Sequence, residues 1–297
     1  MKIAFLTCPG THPGSDRRRA DAYEHDTQMA ALRPAFADAG MQLVEIDWRA
    51  PMAQFADMAA VLIGTPWDYH DDEPAFLAKL DQLEGTGIKA INAPDLVRWN
   101  ARKTYLDTLH IRGAATIPTV WLDRADAADI ASAMDRFGCD SVVAKRQVGA
   151  GAEGQTIHHR GAIEQGWQMG EPMMIQPFLD TIAKTGEISL LFIDGEFSHA
   201  LVKRPAHGDY RVQSIYGGVE EAVIPAPQQI RAAQQVMDAI PFDTPLYARI
   251  DMVESDSGEM LVMEAEMIEP YLYPEQGPEL GPRMARGVVR RLATAGA

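Results

Sequence analysis

The chain has 297 residues, of which 46% are hydrophobic and 23% are charged, and its formal net charge is −15. This balance is typical of a globular protein, and the length predicts two or three subdomains. The negative charge argues against nucleic acid as a main partner, because phosphate backbones select for clustered Lys and Arg. It leaves room for a nucleotide, which needs only a local basic pocket.

The cysteine content and the apolar runs indicate the compartment. Cys8 and Cys139 show no metal-ligand spacing and are too few for a disulfide framework, which favours a reducing cytoplasm. No apolar run approaches the ~18–20 residues of a membrane span, and the run at the N-terminus is too short for a signal peptide. We therefore expect a cytoplasmic protein with small-molecule substrates and no membrane partner.

Strand and helix patterns alternate in the first third of the chain. Strands are predicted over residues 2–7, 42–47, 59–64 and 88–92, with helical stretches between them. Asp71 and Asp72 precede Glu73-Pro74, which is the pattern of an N-cap followed by an early helical proline. One helix is predicted from about Pro94 to His110. The alternation indicates an α/β layer with a parallel sheet, which we assign to an N-terminal domain of residues 1–105.

The rest of the chain is richer in hairpins. A second domain over 106–180 holds a helix at 126–137, a glycine-rich hairpin at 141–160 and the strand in "PMMIQPFL". A third domain over 181–297 contains two predicted hairpins, one turned at Asp194-Gly195 and one turned at 255–258. Helices at about 227–240 and 279–294 complete it.

Gly149, Gly151 and Gly154 match the pattern G-x-G-x-x-G of a dinucleotide-binding turn. That motif must open a helix, whereas residues 155–159 contain two β-branched residues and no helical period. A strand, a glycine loop and a second strand are predicted instead. Such a hairpin can fold over a polyphosphate with Lys145 as a cation. The alternative is a mobile surface hairpin with an ordinary lysine.

Three acids mark the last predicted hairpin. Asp251 lies on one strand, and Glu264 and Glu266 lie two apart on the next, so the two glutamates share a face. If Asp251 is opposite them, the carboxylates converge and repel unless a cation such as Mg²⁺ joins them. The alternative is the wet face of a sheet, but the apolar neighbours in "MEAEMIEPYLY" favour a pocket.

Several segments together resemble the ATP-grasp superfamily. They are "GTPWDYHDDEPAFL", "WNARKTYL", "VVAKRQVGAGAEG", "MMIQPFL", "GEISLLFIDGEFSHALVKRP", "RVQSIYGG" and "LYARIDMV…LVMEAEMIEP". Their order is most similar to glutathione-synthetase-type ligases, and closest to the cycloserine-biosynthesis branch. The resemblance implies an α/β (α+β) ATP-grasp fold, with a Rossmann-like pre-ATP-grasp domain followed by two ATP-binding subdomains.

The same resemblance implies roles for individual residues. Lys103 and Lys145 would bind the ATP phosphates under a lid formed by Gly149, Gly151 and Gly154. Gln176, Pro177, Phe178 and Leu179 would form the adenine hinge, and Glu187 would lie near the ribose. Lys203 and Arg211 would face the γ-phosphate and the acyl group, and Asp251, Glu264 and Glu266 would hold Mg²⁺. Arg249 is added as a third catalytic cation because it lies two residues before Asp251 and thus on the same strand face. Two positions depart from the family pattern. Many members have asparagine where Glu266 stands, and glutathione-type enzymes have a substrate arginine where Ser189 stands. Glutathione synthesis itself is therefore not expected.

The acceptor site is expected at the carboxyl end of a strand in the N-terminal domain. Candidates to contact the substrate are Trp67, Asp68, Tyr69, Tyr216 and Glu269, with Tyr271 shaping the same cavity. A packing tryptophan in a capped loop would explain the first three equally well. The polar segment 9–26 could form a lid, and its run of three arginines at 17–19 could meet a carboxylate or be solvated.

The resulting hypothesis is an ATP-dependent carboxylate–amine ligase for a small amino acid or its derivative. It would form an acyl phosphate and release ADP and phosphate, and a biosynthetic cyclo-ligase is one form of this reaction. The alternative is an ATP-binding regulatory protein without ligase turnover. A Rossmann oxidoreductase is disfavoured by the missing helix. A homodimer or homotetramer is a further expectation from the resemblance.

Overall fold

The computed structural model describes residues 1–149, 154–206, 211–212 and 217–294. The strands are β1 Lys2–Thr7, β2 Gln42–Asp47, β3 Met58–Thr65, β4 Lys89–Ile91, β5 Val120–Leu122, β6 Ala125–Asp126, β7 Ser141–Arg146, β8 Thr156–His159, β9 Gln168–Met169, β10 Met173–Pro177, β11 Glu187–Ile193, β12 Glu196–Arg204, β13 Val219–Ala222, β14 Tyr247–Glu254 and β15 Met260–Glu266. The helices are α1 Tyr23–Asp38, α2 Glu73–Gly85, α3 Pro94–Asn100, α4 Tyr105–Ile111, α5 Ala127–Phe137, α6 Thr181–Lys184, α7 Pro227–Ala239 and α8 Leu280–Thr294.

The N-terminal sheet is parallel, with strand order β2-β1-β3-β4. β1 and β3 are almost entirely buried, as a parallel strand covered on both faces must be. The four predicted strands and the α/β layer are confirmed. The predicted cap of α2 is confirmed as well, since the Asp72 side chain accepts a hydrogen bond from the backbone N–H of Ala75.

The helix predicted over 94–110 is interrupted, so that prediction is wrong as a single element. α3 ends at Asn100 and α4 begins at Tyr105. The backbone N–H of Lys103 donates to the carbonyl of Gln147 at 2.7 Å, outside any helical ladder. The break therefore places Lys103 beside the strand β7 and the glycine loop, where a continuous helix would not have brought it.

The second sheet has the strand order β5-β10-β7-β8. β7 and β8 are antiparallel, with Ser141 paired to His159 and Ala144 paired to Thr156. A strand follows Gly154, so the predicted strand–loop–strand arrangement is confirmed. α5 packs on this sheet and begins at the capping residue Asp126.

The third sheet is antiparallel, with the order β13-β12-β11-β14-β15. Asp194 and Gly195 turn the β11–β12 hairpin with φ values of 56° and 82°, which suit a two-residue hairpin loop. In the β14–β15 hairpin, Asp251 pairs with Glu264. Asp251 therefore lies opposite one of the two glutamates, which is the condition for the acids to converge.

Two buried asparagines join the N-terminal domain to the third sheet. The Asn92 amide donates to the carbonyls of Tyr247 and Met267 at 3.1 and 2.8 Å, and its oxygen accepts from the Leu246 N–H at 2.6 Å. Asn100 donates to the Ala265 carbonyl at 2.7 Å and accepts from the Met267 N–H at 2.9 Å. These bonds fix the end of β15 against the N-terminal domain. Across the described ranges, no helix is long and apolar enough to cross a membrane.

Candidate active site

A cavity of about 380 Å³ lies between the three sheets. Most of the residues singled out from the sequence line it: Trp67, Lys103, Lys145, Gly149, Gln176, Pro177, Phe178, Leu179, Glu187, Lys203, Arg211, Arg249, Asp251, Glu264, Glu266 and Glu269. They come from segments far apart in the chain. The fold therefore gathers on one cavity both the lysines and the acids that the sequence presented separately.

One wall of the cavity is apolar and continues into a strand end. Ile117, Val143, Ile182, Val253 and Met263 line it beside the residues at 176–179. At the end of β10, the Gln176 amide donates to Thr119 Oγ1 at 3.0 Å, and the Phe178 N–H donates to the Ser141 carbonyl at 2.9 Å. These bonds fix the strand end against an apolar surface that suits a flat aromatic base.

Two lysines face the cavity in different states. Lys145 lies on β7, and its Nζ has no hydrogen-bond or ion-pair partner among the residues that the structure describes. Burial lowers its pKa. Lys103 Nζ, by contrast, binds Glu264 and the Gly149 carbonyl, the latter at 3.0 Å. Burial opposes its charge, but the charge of Glu264 outweighs this and raises the pKa of Lys103.

Arg249 is the centre of a buried network of charges. Its Nε donates to both carboxylate oxygens of Asp251, at 3.1 and 3.0 Å, and its Nη2 donates to Glu266 Oε1 at 2.5 Å. Lys203 Nζ lies 2.8 Å from Glu187 Oε1 and 3.4 Å from Asp251 Oδ1. Burial opposes the ionisation of Asp251, but Arg249 and Lys203 outweigh it and lower the pKa to about 2. Asp251 is therefore a fixed negative charge at neutral pH.

Two glutamates, one bound to Arg249 and the other close to the first in the chain, have pKa values that shift in the opposite direction. Burial raises the pKa of Glu266 to about 7, because it outweighs the attraction of Arg249. Burial and the charge of Glu266 raise the pKa of Glu269 well above its usual range. Burial and neighbouring negative charges favour the protonated form of a carboxyl. An additional positive charge beside Glu266 and Glu269 would favour their ionised forms.

The acids offer only oxygen ligands, which suit Mg²⁺. Within the described ranges, no three His, Cys, Asp or Glu side chains are grouped so as to hold a metal ion by themselves. Mg²⁺ needs no such cage, because it is usually held by one or two carboxylates together with substrate phosphates. A cation bound in that way would favour the ionised forms of Glu266 and Glu269, whose pKa values are raised in its absence.

Ser189 has a structural role in this network. It is fully buried on β11, and its hydroxyl donates to Asp251 Oδ1 at 2.5 Å. The strand register places the two residues opposite one another. Because the hydroxyl is fully buried and directed at Asp251, it does not reach a substrate in the cavity, which agrees with the departure from the glutathione-type pattern at this position.

Several of the predicted site residues do not line the main cavity. Asp68 instead accepts from Trp48 Nε1 at 2.8 Å and pairs with Arg49 Nη1 at 2.6 Å. Tyr69 is 5% exposed and packs on Phe76, and it borders a second cavity of about 20 Å³ that shares Lys103 and Glu264 with the first.

Gly154 also lies apart from the cavity lining. At its φ of +69°, an added Cβ would lie 2.7 Å from Arg146 Nε. Its function in the structure is thus a close packing against the Arg146 side chain. Gly151 and Tyr216 lie outside the described residues.

Sequence reasoning missed other residues that line the cavity. They include Arg146, Glu220 and Tyr273 as well as the apolar wall. An apolar residue that faces a ligand carries the same pattern as one that faces the core, so no sequence signal distinguishes the two. For Tyr273, the one sequence signal is its nearness to Glu269 and the acidic motif.

Two family models match the chain. The model described as the N-terminal domain of D-cycloserine synthetase DcsG matches residues 3–92, and the ATP-grasp domain of prokaryotic glutathione synthetase matches residues 158–269. The chain belongs to the ATP-grasp superfamily. Together the two matches span about two thirds of it, including the acidic hairpin and most of the cavity wall.

Similar proteins support this assignment. The cycloserine biosynthesis protein DcsG of Streptomyces lavendulae is 25% identical over 289 residues, which are 90% of this chain and 94% of that protein. The crystal structure of D-cycloserine synthetase DcsG superposes with a TM-score of 0.83 at 23% identity, covering 98% of this chain and 100% of the other. D-alanine–D-alanine ligase from Bacillus anthracis in complex with ATP gives 0.70 at 17% identity, covering 99% and 98%.

This ATP-grasp protein is therefore an ADP-forming carbon–nitrogen ligase related to cycloserine synthetase. The regulatory alternative without turnover is set aside. The mixed α/β ATP-grasp fold expected from the sequence is confirmed by the structural neighbours.

Proposed function

We propose that the cavity binds ATP and Mg²⁺ and activates the carboxylate of a small amino acid or amino-acid derivative. The observation that carries this proposal is the convergence of Lys103, Lys145 and the β14–β15 acids on one cavity. Lys145 is the most telling member, because a half-buried ammonium without a partner among the described residues favours an anionic ligand.

Each group then has a role in phosphoryl transfer. Lys145 and Lys103 bind the phosphates, and the apolar wall beside residues 176–179 holds the base. Lys203 and Arg249 neutralise the charge that develops as the substrate carboxylate attacks the γ-phosphate and forms an acyl phosphate and ADP. A nitrogen nucleophile then displaces phosphate. Positioning and charge neutralisation carry such a reaction, so little acid–base chemistry is required of the protein.

Asp251, Glu264 and Glu266 are the residues that would hold Mg²⁺. When bound, the metal neutralises the charge of the phosphates during transfer. Arg249 keeps the carboxylates of Asp251 and Glu266 in place on adjacent strands, and Lys103 keeps Glu264 at the cavity wall. Arg211 also lines the cavity, and we assign it to the acyl group together with Lys203.

The substrate class follows from the relatives and from the size of the cavity. One similar protein is named for cycloserine biosynthesis and another for the ligation of D-alanine. The cavity of about 380 Å³ lies at the lower end of the ~300–1,000 Å³ range of ligand sites, which favours a small second substrate. Ring closure within one molecule is a form of the same reaction, in which acid and amine belong to one substrate.

The test is nucleotide release from MgATP across a panel of amino acids of both configurations. We expect ADP to appear only with one substrate class, and Glu264→Ala to lower kcat/KM at least about a hundred-fold, as the loss of one electrostatic group does elsewhere. Glu259→Ala is the matched control, because Glu259 is an exposed acid at the turn of the same hairpin. ADP release that does not depend on any amino acid would contradict the proposal.

The oligomeric state and the compartment remain predictions from the sequence. A homodimer or homotetramer is tested by light scattering of the purified protein. A cytoplasmic location is tested by fractionation of the native cells.

A further inference from the structure

Tyr273, in the segment after β15, has an uncommon backbone conformation. Its φ is 49°, in the left-handed region that a bulky side chain rarely adopts. The Tyr273 carbonyl accepts from the N–H groups of Gln276 and Gly277, both at 3.1 Å. His199 Nε2 on β12 donates to the preceding carbonyl, that of Leu272, at 2.9 Å. The surrounding contacts therefore hold the residue in this conformation, as is common at functional sites.

The ring of Tyr273 lies over the cations of the proposed reaction centre. Lys203 Nζ and Arg249 Cζ are 5.6 and 5.8 Å from the ring centre, within the ~6 Å reach of a cation–π contact. The ring also packs on Tyr271, with the two centres 4.6 Å apart. Its hydroxyl donates to Glu220 Oε1 at 3.3 Å. The strained segment thus aims one hydroxyl at one carboxyl group beside Lys203.

Glu220 is the residue of β13 that faces the cavity. The other three residues of this edge strand are exposed, whereas Glu220 is half-buried and lines the cavity together with Tyr273. The strand register places Glu220 opposite Lys203. Among the residues that the structure describes, the Tyr273 hydroxyl is the one hydrogen-bond partner of its carboxyl group. Glu220 therefore keeps acceptor capacity for a ligand in the cavity.

The charges around Glu220 suit a base better than a metal ligand. Lys203 acts on it from β12 and Arg249 from β14, while Glu275 acts from the segment after β15. Burial raises the pKa of Glu220 above its ordinary value; Lys203, the Tyr273 hydroxyl and Arg249 oppose this rise, and Glu275 adds to it. A carboxylate with a raised pKa is the stronger proton acceptor. Two nearby cations disfavour Mg²⁺ at this position, so proton transfer is the chemistry that its surroundings allow.

The second step of the proposed reaction needs a proton acceptor. The formation of acyl phosphate and ADP gives no proton to the protein, but the nitrogen nucleophile loses one when it bonds to the acyl carbon. Lys203 and Arg249 have only donors when charged. Asp251, with a pKa of about 2, is too weak a base. Glu220 lines the same cavity without a place in the metal site or the phosphate site.

We infer that Glu220 is the general base of the second step and that Tyr273 is a positioning residue for its carboxylate. Glu220 takes the N–H proton as the C–N bond forms, and the bond from the acyl carbon to the phosphate oxygen breaks with its electron pair on the phosphate. The proton then passes to this phosphate, which leaves as hydrogen phosphate, and Glu220 is ionised again. The inference rests on the proposed ligase function and supplies the base for its nucleophile.

The test separates the two steps in the full-length protein. Rapid quenching with MgATP and an amino acid that supports ADP release measures the ADP formed in the first turnover, and steady-state release measures complete cycles. In Glu220→Gln, we expect the first turnover to form ADP at the wild-type rate. The steady-state rate should fall at least about a hundred-fold, the ordinary contribution of a general base. Tyr273→Phe should show the same split with a loss of about ten-fold, the effect of one hydrogen bond to a charged group.

Hydroxylamine supplies a readout that a merely structural role would not change. It is a strong nucleophile and is uncharged at neutral pH, so it attacks an acyl phosphate without a base from the protein. Added to Glu220→Gln with MgATP and the same amino acid, it should form the hydroxamate and restore the steady-state release of ADP. Glu221→Gln is the matched control, because this acid is next on the same strand with a 66% exposed side chain paired with Arg204. It should behave as the wild type in each assay.

Three outcomes overturn the inference alone. They are wild-type turnover in Glu220→Gln, an equal slowing of the first turnover and of complete cycles, and a slow variant that hydroxylamine does not rescue. In all three the wild type still releases ADP with an amino acid, so the ligase proposal stands. Wild-type protein that forms no ADP with any amino acid would overturn the ligase proposal and the inference with it.

Discussion

At the scale of single residues, the two cavity lysines differ in what they are bound to. Lys103 is neutralised by Glu264, whereas Lys145 has no partner among the described residues and has its pKa lowered by burial. We therefore expect a phosphate to meet the charge of Lys145 directly. A phosphate binds Lys103 only after the ion pair between Lys103 and Glu264 has broken. The two lysines thus predict different responses to pH and to metal.

The pH dependence of ATP binding tests Lys145. Only the ammonium form attracts a phosphate, so the affinity should fall as the pH rises through the pKa of Lys145, which lies below the ordinary lysine value of about 10.4. Lys145→Arg should abolish the fall over the same range, because arginine stays protonated. The measurement is a titration with ATP at a series of pH values from about 7 to about 10. Parallel curves for both proteins would show that another group causes the change.

The metal dependence of ATP binding tests Glu264. Without Mg²⁺, this carboxylate competes with the phosphates for Lys103. Glu264→Gln should therefore bind metal-free ATP more tightly than the wild type, by about three-fold to ten-fold for one released ion pair, and should gain little from added Mg²⁺. Calorimetry with and without the metal measures both effects. Weaker binding of metal-free ATP by this variant would refute the competition.

At the scale of elements, the β14–β15 hairpin could be predicted and the break before α4 could not. The alternation of acids and apolar residues, together with the turn at 255–258, is a local signal for the two strands. The turn alone does not fix the register, because an irregularity between Asp251 and Met252 shifts the pairing and places Asp251 opposite Glu264. The break at Lys103 depends on partners distant in the chain, namely the Gln147 carbonyl and the backbone that binds Asn100. Helical propensity continues through 101–104 in the absence of those partners, so tertiary contacts decide the structure there.

The asparagine contacts also determine stability. Asn100→Ala leaves the Ala265 carbonyl and the Met267 N–H buried without their partner. Each such group costs about 1–3 kcal/mol, so the free energy of unfolding should fall by at least about 2 kcal/mol. Chemical denaturation measures this change. Asp95→Ala is the control, because that residue lies on the same helix with an 84% exposed side chain and should change little. A loss below about 0.5 kcal/mol would mean that solvent or another group satisfies the freed backbone.

At the scale of the whole molecule, three sheets combine into a site that carries more negative charge than its own cations balance. The parallel N-terminal sheet, the strand β10 and the antiparallel hairpin β14–β15 that carries the acids could each be predicted from periodicity. Their common cavity could not be derived from any one pattern, and only the order of motifs suggested it. Asp68 shows where prediction from the sequence fails. Its sequence context resembles a binding loop, but its carboxylate accepts hydrogen bonds from Trp48 and Arg49.

The excess of acid predicts how stability depends on pH. Glu266, with a pKa of about 7, and Glu187 and Glu269, with raised pKa values, hold protons more tightly in the folded protein than in the unfolded chain. The unfolding free energy of the metal-free protein should therefore fall as the pH rises from about 4.5 to about 7. The unfolding free energy of Glu266→Gln should fall less over this range, because the amide does not titrate. Its oxygen can still accept a hydrogen bond from Arg249, so the contact is kept. Thermal melts across this range check the slope, and equal slopes for the two proteins would exclude Glu266 as a cause.

In the proposed reaction, the substrate carboxylate receives the γ-phosphate of ATP. The most direct measurement uses an amino-acid substrate that supports ADP release, labelled with heavy oxygen in its carboxylate, and follows the label by mass spectrometry after one turnover. An acyl-phosphate mechanism predicts that one labelled oxygen appears in inorganic phosphate and that the nucleotide product is unlabelled ADP. Labelled AMP would mean adenylation, and unlabelled phosphate would mean that water, not the substrate, attacks ATP. Either result would contradict an acyl-phosphate mechanism.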